Sequence, residues 1–526
     1  MALTEKPYLK LGHAPELPPN SRDFFIFRVF ELLPGLLTWV TLAFLTFFSW
    51  YAPVGVSIFV IAFDVYWLLK TLFFSAHLKA SYNRMRQHLA MDWMEKLRGV
   101  GVPKNGIPVH SWEELYHLII LPSYKEPQSV LEESLEKIVH STFPAKNMIV
   151  VLAMEEKGGE EDRAIAENLI AKYAGNFHRM IMTVHPAGLP GELAGKGSNE
   201  TWAARQVKSE VIDPSGIPYE RIIVSSLDSD TQIYPDYFAI VTYHYLTVSD
   251  PLHSSYQPIP VYNNNIWTAH AISRIVAYSG TFWQMMQQSR PERLTTFSSH
   301  SMPWKSLVEM DFWHTNIVSE DSRIFWQSLL FYDGKWKVEP LYYPVSMDAS
   351  IGKDAFETTA NVYRQQRRWG WGVENVPYTL FGFIKNPKIP LARKLYFTFN
   401  QLEGFWSWGT NALIIFLFGW LPIILGGNAF NTSVLAYNLP RITRVLMTAA
   451  MLGVVSSSII SLQLLPPLPK GRRWTSYIWI VAQWFSLPFT LIFLGAMPGI
   501  AAQTRLMRGQ YMGFWRTPKL RTAEHS

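Results

Sequence analysis

The chain has 526 residues, enough for two or three domain-sized units. Its 48% hydrophobic and 17% charged residues are too apolar a mixture for an average soluble domain, and a formal charge of +6 suits anionic lipids or phosphorylated small molecules without selecting between them. The absence of cysteine excludes disulfides, thiolate catalysis and Cys-ligated zinc.

Residues 32–63 carry no charge and are interrupted only at Ala52-Pro53-Val54-Gly55, which predicts two membrane helices over 32–74. The first run is long and leads straight into a second, unlike a cleaved signal peptide. Lys6, Lys10, Arg22 and Arg28 precede the pair, and Lys79, Arg84, Arg86, Lys96 and Arg98 follow it. The positive-inside rule therefore puts the N-terminal segment 1–31 and a connecting helical segment 75–117 in the cytoplasm. Asp64 falls within the second span, where an ionisable group needs a polar partner or must snorkel.

Residues 118–378 have a different texture. Apolar runs at 118–121, 148–153, 180–184 and 221–227 predict strands, and stretches near 130–140 and 162–173 predict helices between them. The alternation implies an α/β domain with a parallel sheet, whose ligands bind beyond the carboxyl ends of its strands. Acidic residues stand at three of those ends: Glu126 with Tyr124, Glu155 with Glu156, and Asp228-Ser229-Asp230. Two hard carboxylates such as Asp228 and Asp230 suit Mg²⁺ or Mn²⁺ with diphosphate oxygens completing the shell. Gly191 to Ser198, GELAGKGS, lacks one spacer of a phosphate loop and has Gly197 in the Ser/Thr position, so an ATPase is rejected; Lys196 can still reach a phosphate. Ser319-Glu320-Asp321 precedes an aromatic helical stretch, where a carboxylate serves either as a helix cap or as a general base. The segment YRQQRRWGWG, 363–372, places arginines beside tryptophans.

In order, Asp228-Ser229-Asp230, Ser319-Glu320-Asp321 and Gln365-x-x-Arg368-Trp369 form D-x-D, (T/S)-E-D and Q-x-x-R-W. This set, flanked by membrane helices, resembles the membrane-embedded family-2 glycosyltransferases: cellulose, chitin and hyaluronan synthases and their relatives. The resemblance implies a cytoplasmic, GT-A-like nucleotide-diphospho-sugar transferase domain inserted between transmembrane α-helices. It implies nucleotide-sugar contacts at Tyr124, Glu126, Glu155 or Glu156, Lys196, Asp228, Gln365, Arg368 and Trp369, with metal at Asp228 and Asp230 and Asp321 as catalytic base. Phe297-Ser298-Ser299-His300, Glu320 and Trp369 correspond to the acceptor side, although the family's Cys-Gly core is missing from 297–300 and glutamate replaces its usual aspartate at 155–156. Arg364, Arg367 and Trp371 read as membrane-surface anchors.

Residues 379–403, mixed apolar and basic, suggest interfacial helices, and 404–504 contains three uncharged runs, 404–440, 445–469 and 474–504. Three crossings would leave the tail 505–526 outside, yet Arg505, Arg508, Arg516, Lys519 and Arg521 favour the inside, as do Lys470, Arg472 and Arg473. One run is therefore expected to be interfacial or re-entrant, with Pro488 a candidate break. Phe514-Trp515-Arg516-Thr517-Pro518-Lys519 resembles the F-x-V-T-x-K gating loop of cellulose synthases, which implies gating roles for Phe514, Thr517 and Lys519. The function expected is inverting transfer from a nucleotide-sugar, UDP-linked by preference, to a growing polysaccharide, with membrane lipids as surroundings and no nucleic acid. The alternatives are single-sugar transfer to a lipid acceptor and a non-catalytic scaffold.

Overall fold

The computed structural model describes residues 6–517; Lys519 of the gating-like segment lies outside them. Two long helices come first, α1 (Arg22–Tyr51) and α2 (Pro53–Leu89). Each is apolar enough to cross a membrane. Asp64 on α2 is 1% exposed and accepts a 2.8 Å hydrogen bond from Thr443 Oγ1, the polar partner that its position demanded.

An eight-stranded sheet follows, ordered β3-β2-β1-β4-β7-β6-β8-β5. The strands β1 (Tyr116–Ser123), β2 (Met148–Glu155), β3 (Arg179–His185) and β4 (Ile222–Ser226) run parallel. Leu118, Ile120, Ile149 and Val151 enter one apolar cluster, and Ile119, Leu121, Val150 and Leu152 enter the other. Burial on both faces explains why these strands are continuous apolar runs in the sequence. Helices α3 (Gln128–Val139), α4 (Gly159–Tyr173) and, after β4, α6 (Tyr237–Thr247) cover one face, while α5 (Lys196–Val207) covers the other.

The second half departs from the parallel expectation. β5 (Gln232–Ile233) and β8 (Lys337–Ser346) are antiparallel, β7 (Ser301–Pro303) is antiparallel to both β4 and β6 (Ser254–Val261), and β6 is parallel to β8. Pro258 and Pro260 in β6 weaken its strand signature, and β7 is only three residues long. The helix α7 (Ala271–Gln288) joins α2 in a third cluster, docking the sheet domain on the long helices. After it come α8 (Glu320–Phe331), α9 (Ala355–Gly370), α10 (Asn375–Lys385) and α11 (Leu391–Phe416).

Two further helices, α12 (Val434–Gln463) and α13 (Thr475–Met507), are also long and apolar enough to cross a membrane, and α11 with Phe418–Leu425 forms a fifth candidate bent by 47°. Pro440, which the sequence suggested as the end of a span, lies inside α12. Both ends of α13 lie against the sheet domain. Near its start, Trp267 and Tyr477 meet edge to face at 5.6 Å and Arg274 Nε donates to Gln483 Oε1 at 2.8 Å. Near its end, Ala502 and Leu506 pack with Val318 and Trp371.

The segment before α1 is a strap on the same domain. Leu9 is 1% exposed inside the α5/α8 cluster, and Lys6 Nζ donates to Asp333 Oδ1 at 2.6 Å. The strap and the sheet domain thus lie together at the start of α1. Leu9→Ala is expected to destabilise the protein by about 2–5 kcal/mol, the range for emptying a core leucine site. Lys10→Ala, which removes only an exposed 3.4 Å pair with Asp311, is expected to change stability by about 0.5 kcal/mol or less. Unfolding followed by tryptophan fluorescence compares the two; equal effects would contradict the strap's apolar anchoring.

Candidate active site

The loop after β3 is folded back on itself before it delivers α5. His185 Nε2 donates to Glu192 Oε2 at 2.9 Å, Leu193 N donates to Thr315 O at 2.7 Å, and Ser198 Oγ donates to Leu193 O at 2.7 Å. Lys196 is then the first residue of α5, and its ammonium lies 2.7 Å from both Asp228 Oδ1 and Asp321 Oδ1. A Cβ on Gly197 would lie 2.7 Å from His314 O and 2.9 Å from Glu320 Cβ. Glycine therefore occupies the position of a phosphate loop's Ser/Thr because α5 must start against α8.

Four carboxyl groups surround that ammonium, counting Glu200 and Glu320 behind the two aspartates. Burial disfavours the Lys196 charge, but Asp228 and Asp321, then Glu200 and Glu320, raise it well above the ordinary lysine value. Glu200 was not foreseen. Its carboxyl is pushed up to about 8 by burial, against the pull of Lys196, and it accepts a hydrogen bond from Ser226 Oγ. Glu320, 2% exposed, is held well above the carboxylate range by burial and then by Asp321. Lys196 is thus in direct contact with Asp228 and Asp321, with Glu200 and Glu320, both raised by burial, behind them.

Asp228 and Asp230 follow β4. Asp228 Oδ2 accepts from Ser298 Oγ at 2.6 Å, its amide donates to Ser299 Oγ at 3.4 Å, and Asp230 Oδ2 accepts from the Asp348 amide at 3.1 Å. Asp348 is another acid that the sequence did not single out. Among the described residues no three His, Asp or Glu are spaced to enclose a metal by themselves. Mg²⁺ and Mn²⁺ need only one or two carboxylates when phosphate oxygens supply the rest, so the donor set of Asp228 and Asp230 fits such an ion.

The other expected residues fall around this centre. Glu126 is buried in the loop after β1, whose shape is held by the Lys125 amide donating to Asp162 Oδ2 at 2.8 Å. Glu155 ends β2 opposite His185 and is raised by burial; Glu156 Oε2 accepts from the Ala187 amide at 2.7 Å, bracing the loop after β3. Ser298 and Ser299, expected on the acceptor side, hold Asp228. His300 is buried and pushed down to about 4 by that burial, so it is neutral, with Nδ1 donating to Phe297 O at 3.0 Å. Gln365, Arg368 and Trp369 share the last turns of α9. The Trp369 ring sits 6.0 Å from both Phe297 and Tyr262. The C-terminal segment completes the enclosure: the Arg368 guanidinium lies 5.3 Å from the Phe514 ring, a Cβ on Gly195 would meet Phe514 Cγ at 3.0 Å, and Arg516 donates to the carbonyls of Tyr124 and Lys125. Thr517 Oγ1 is buried at the end of that segment.

Trp371 is not a membrane anchor. It is fully buried and its indole donates to Glu374 Oε2 at 2.8 Å. Glu374 also accepts from His13 Nε2 at 3.1 Å, from the Val318 and Ser319 amides at 3.1 and 2.9 Å, and from Ser319 Oγ at 2.6 Å. Burial alone would raise this carboxyl, but His13, Arg323 and Ser319 outweigh it and hold it down to about 2. One buried anion therefore ties the N-terminal strap and the end of α9 to the turn that carries Glu320 and Asp321.

No protein-family model matches the chain, and no curated protein matches it. Among solved structures, the mannosyltransferase PcManGT from Pyrobaculum calidifontis, in complex with GDP-Man and Mn²⁺, is 12% identical, covering 77% of this chain and 99% of its own, with a TM-score of 0.39. Staphylococcus aureus TarS 1–349 in complex with UDP-GlcNAc is 13% identical, covering 76% of this chain and 93% of its own, with a TM-score of 0.34. GalNAc-T7 with UDP, GalNAc and Mn²⁺ is 10% identical, covering 54% of this chain and 57% of its own, with a TM-score of 0.32. Likeness this distant carries no conclusion about activity.

Two outcomes follow from the buried acids. A carboxyl raised in the fold stabilises fully below its unfolded pKa and loses that contribution as pH rises through the folded value. Melting temperatures of wild type and Glu200→Gln should thus diverge in the variant's favour between pH 5 and 8, while parallel curves would mean that Glu200 is ionised throughout. Glu374→Ala strips the anion from five donors and is expected to cost about 3 kcal/mol or more of stability. A melting temperature within experimental error of wild type would refute its place at the centre of this network.

Proposed function

We propose that the protein is a membrane-embedded, inverting glycosyltransferase that moves a sugar from a nucleotide-sugar, UDP-linked by preference, to a growing polysaccharide. The observation that carries this reading is the single ammonium of Lys196 bridging Asp228 and Asp321. It puts the D-x-D aspartate, suited to the donor's diphosphate, within one cation's reach of the carboxylate suited to an acceptor hydroxyl.

In this reading Asp321 accepts the proton of the acceptor hydroxyl, whose oxygen attacks the anomeric carbon from the face opposite the diphosphate. The glycosidic bond to the diphosphate breaks as the new one forms, and one displacement inverts the configuration. Lys196 and Arg368 stabilise the charge gathering on the departing diphosphate. Asp228 and Asp230 would hold a divalent ion, which when bound would supply Lewis-acid stabilisation of that diphosphate. Trp369, with Phe297 beside it, offers a flat aromatic face to the acceptor's terminal sugar. Phe514, Arg516 and Thr517 cover the donor from the C-terminal side, in the manner of a gating loop. In this reading the sheet domain takes the cytoplasmic side, since Lys6, Lys10, Arg22 and Arg28 lie at the start of α1 and Lys79, Arg84 and Arg86 at the end of α2.

The test is a panel of UDP- and GDP-sugars with purified full-length protein, read as released nucleotide and product length. Asp321→Asn is expected to lower transfer at least about a hundredfold, as loss of a general base does, while donor affinity stays within about threefold. Near-normal turnover by Asp321→Asn would sink the assignment. Long products early in the reaction distinguish polymer extension from transfer of one sugar to a lipid.

A further inference from the structure

The YRQQRRWGWG segment holds more cationic charge than a donor site uses. Arg368 faces Phe514 and the carboxylate centre, whereas Arg364 and Arg367 line a separate pocket of about 260 Å³ with Arg505 from α13. Met512, Gly513 and Trp515 form the rest of its wall, and the Arg364 guanidinium lies 5.8 Å from the Trp515 ring. Phe514 and Trp515, neighbours in the chain, thus cover different arginines and separate the two sites. Among the described residues, Arg28, Arg163, Arg205, Arg221 and Arg290 pair with carboxylates, and Arg364, Arg367 and Arg505 do not. Arg367 Nε and Arg505 Nε are shut off from water with no hydrogen-bond partner among the described residues. Three guanidinium groups converging without an anion repel one another, and two of them also have dehydrated donors. A group that supplies several anionic oxygens in one place removes both penalties, and guanidinium forks match phosphate geometry.

Size and surroundings narrow the ligand. A pocket of this volume is below the usual range for drug-sized molecules, which points to a phosphate group rather than a whole nucleotide-sugar. Arg505 directly follows Thr504, whose hydroxyl accepts a 2.9 Å hydrogen bond from the Trp39 indole of α1. Beside that bond, Leu36, Trp39, Val40 and Phe44 are exposed along α1, an apolar stripe suited to an acyl chain. A larger groove of about 460 Å³, near Ile212 to Glu220 and Lys305, is a weaker candidate because Lys305 already pairs with Glu220 at 2.8 Å.

We infer that Arg364, Arg367 and Arg505 form a second anion site that binds the phosphate of an anionic membrane lipid, with its chain along α1. The site does not depend on transfer chemistry, and its test needs no activity. The melting temperature of detergent-purified full-length protein is measured with added phosphatidylglycerol and, separately, with inorganic phosphate. Phosphatidylglycerol is expected to raise it in wild type, and Arg505→Gln and Arg364→Gln/Arg367→Gln are each expected to lose at least half of that rise. Arg508→Gln, which removes an exposed arginine next to the same helix, should keep it. A rise with inorganic phosphate that the same variants lose would uphold the anion site and assign it to a free phosphate. Equal rises in wild type and the pocket variants, or no rise with either probe, would overturn the inference.

Discussion

A buried ammonium held between two carboxylates is the constraint around which the sheet domain is arranged. Lys196 sits at the start of α5, Asp228 at the end of β4 and Asp321 in the first turn of α8, so three separately encoded elements must end at one point. Desolvating a cation is tolerable only if its counter-charges stay in place, and removing one partner leaves the other buried charges exposed to each other. Gly197 permits the approach of α5 to α8, and the neutral state of Glu200 and Glu320 adds no further negative charge around the one lysine.

A second buried charge performs the same service for α8. Glu374 lies beyond the end of α9 and holds the backbone of Val318 and Ser319, while Arg323 in α8 donates back to the carbonyl of Glu374 and lies 4.0 Å from the Tyr378 ring. His13 brings the segment before α1 into the same network. The turn bearing Asp321 is therefore fixed by residues from the strap, α8 and the connection between α9 and α10. The proposed role of Asp321 as a general base would need such rigid support, because reach to a hydroxyl tolerates little displacement.

How much of this was readable in the sequence depended on the range of the interaction. β1 to β4 were visible because each is an apolar run short enough for a strand and buried on both faces. Lys196, Asp228 and Asp321 were visible as motifs. The roles of Glu374, His13 and Arg323 were not, since His13 is 361 positions from Glu374 and no local pattern links them. Trp371 was misread for the same reason: an indole beside arginines looks like a surface anchor until a buried carboxylate supplies its hydrogen-bond acceptor. β6 and β7 escaped because proline and brevity erase the strand signature, while sheet neighbours still hold them in register.

The path of α13 shows why hydropathy alone could not settle the order of spans. Thr475–Met507 has the length and apolarity of a crossing helix. Its early residues nevertheless meet Trp267, Arg274 and Phe282 of the sheet domain, and its last turn meets Trp371 and the carbonyl-binding Arg28 at the start of α1. Gln483 and Leu506 are separated by roughly 35 Å at the helical rise, comparable with the ~30 Å core of a bilayer, so both ends of a helix of crossing length touch the same domain. If α1, α2, α12 and the bent α11 do the crossing, both basic flanks of α13, Lys470 to Arg473 and Arg505 to Arg508, fall on the side of the sheet domain, and Arg441 and Arg444 near the start of α12 fall toward the other. Part of the apolar surface of α13 is packed, with Trp408 donating to Gly495 O at 3.0 Å and Ile492 and Ala496 buried against Leu42 and Leu413, while Trp479, Phe485 and Phe489 stay exposed. Beyond α13, Tyr511 donates to Glu31 and Arg516 to the loop after β1, so the segment after the helix returns to the start of α1 and the sheet domain.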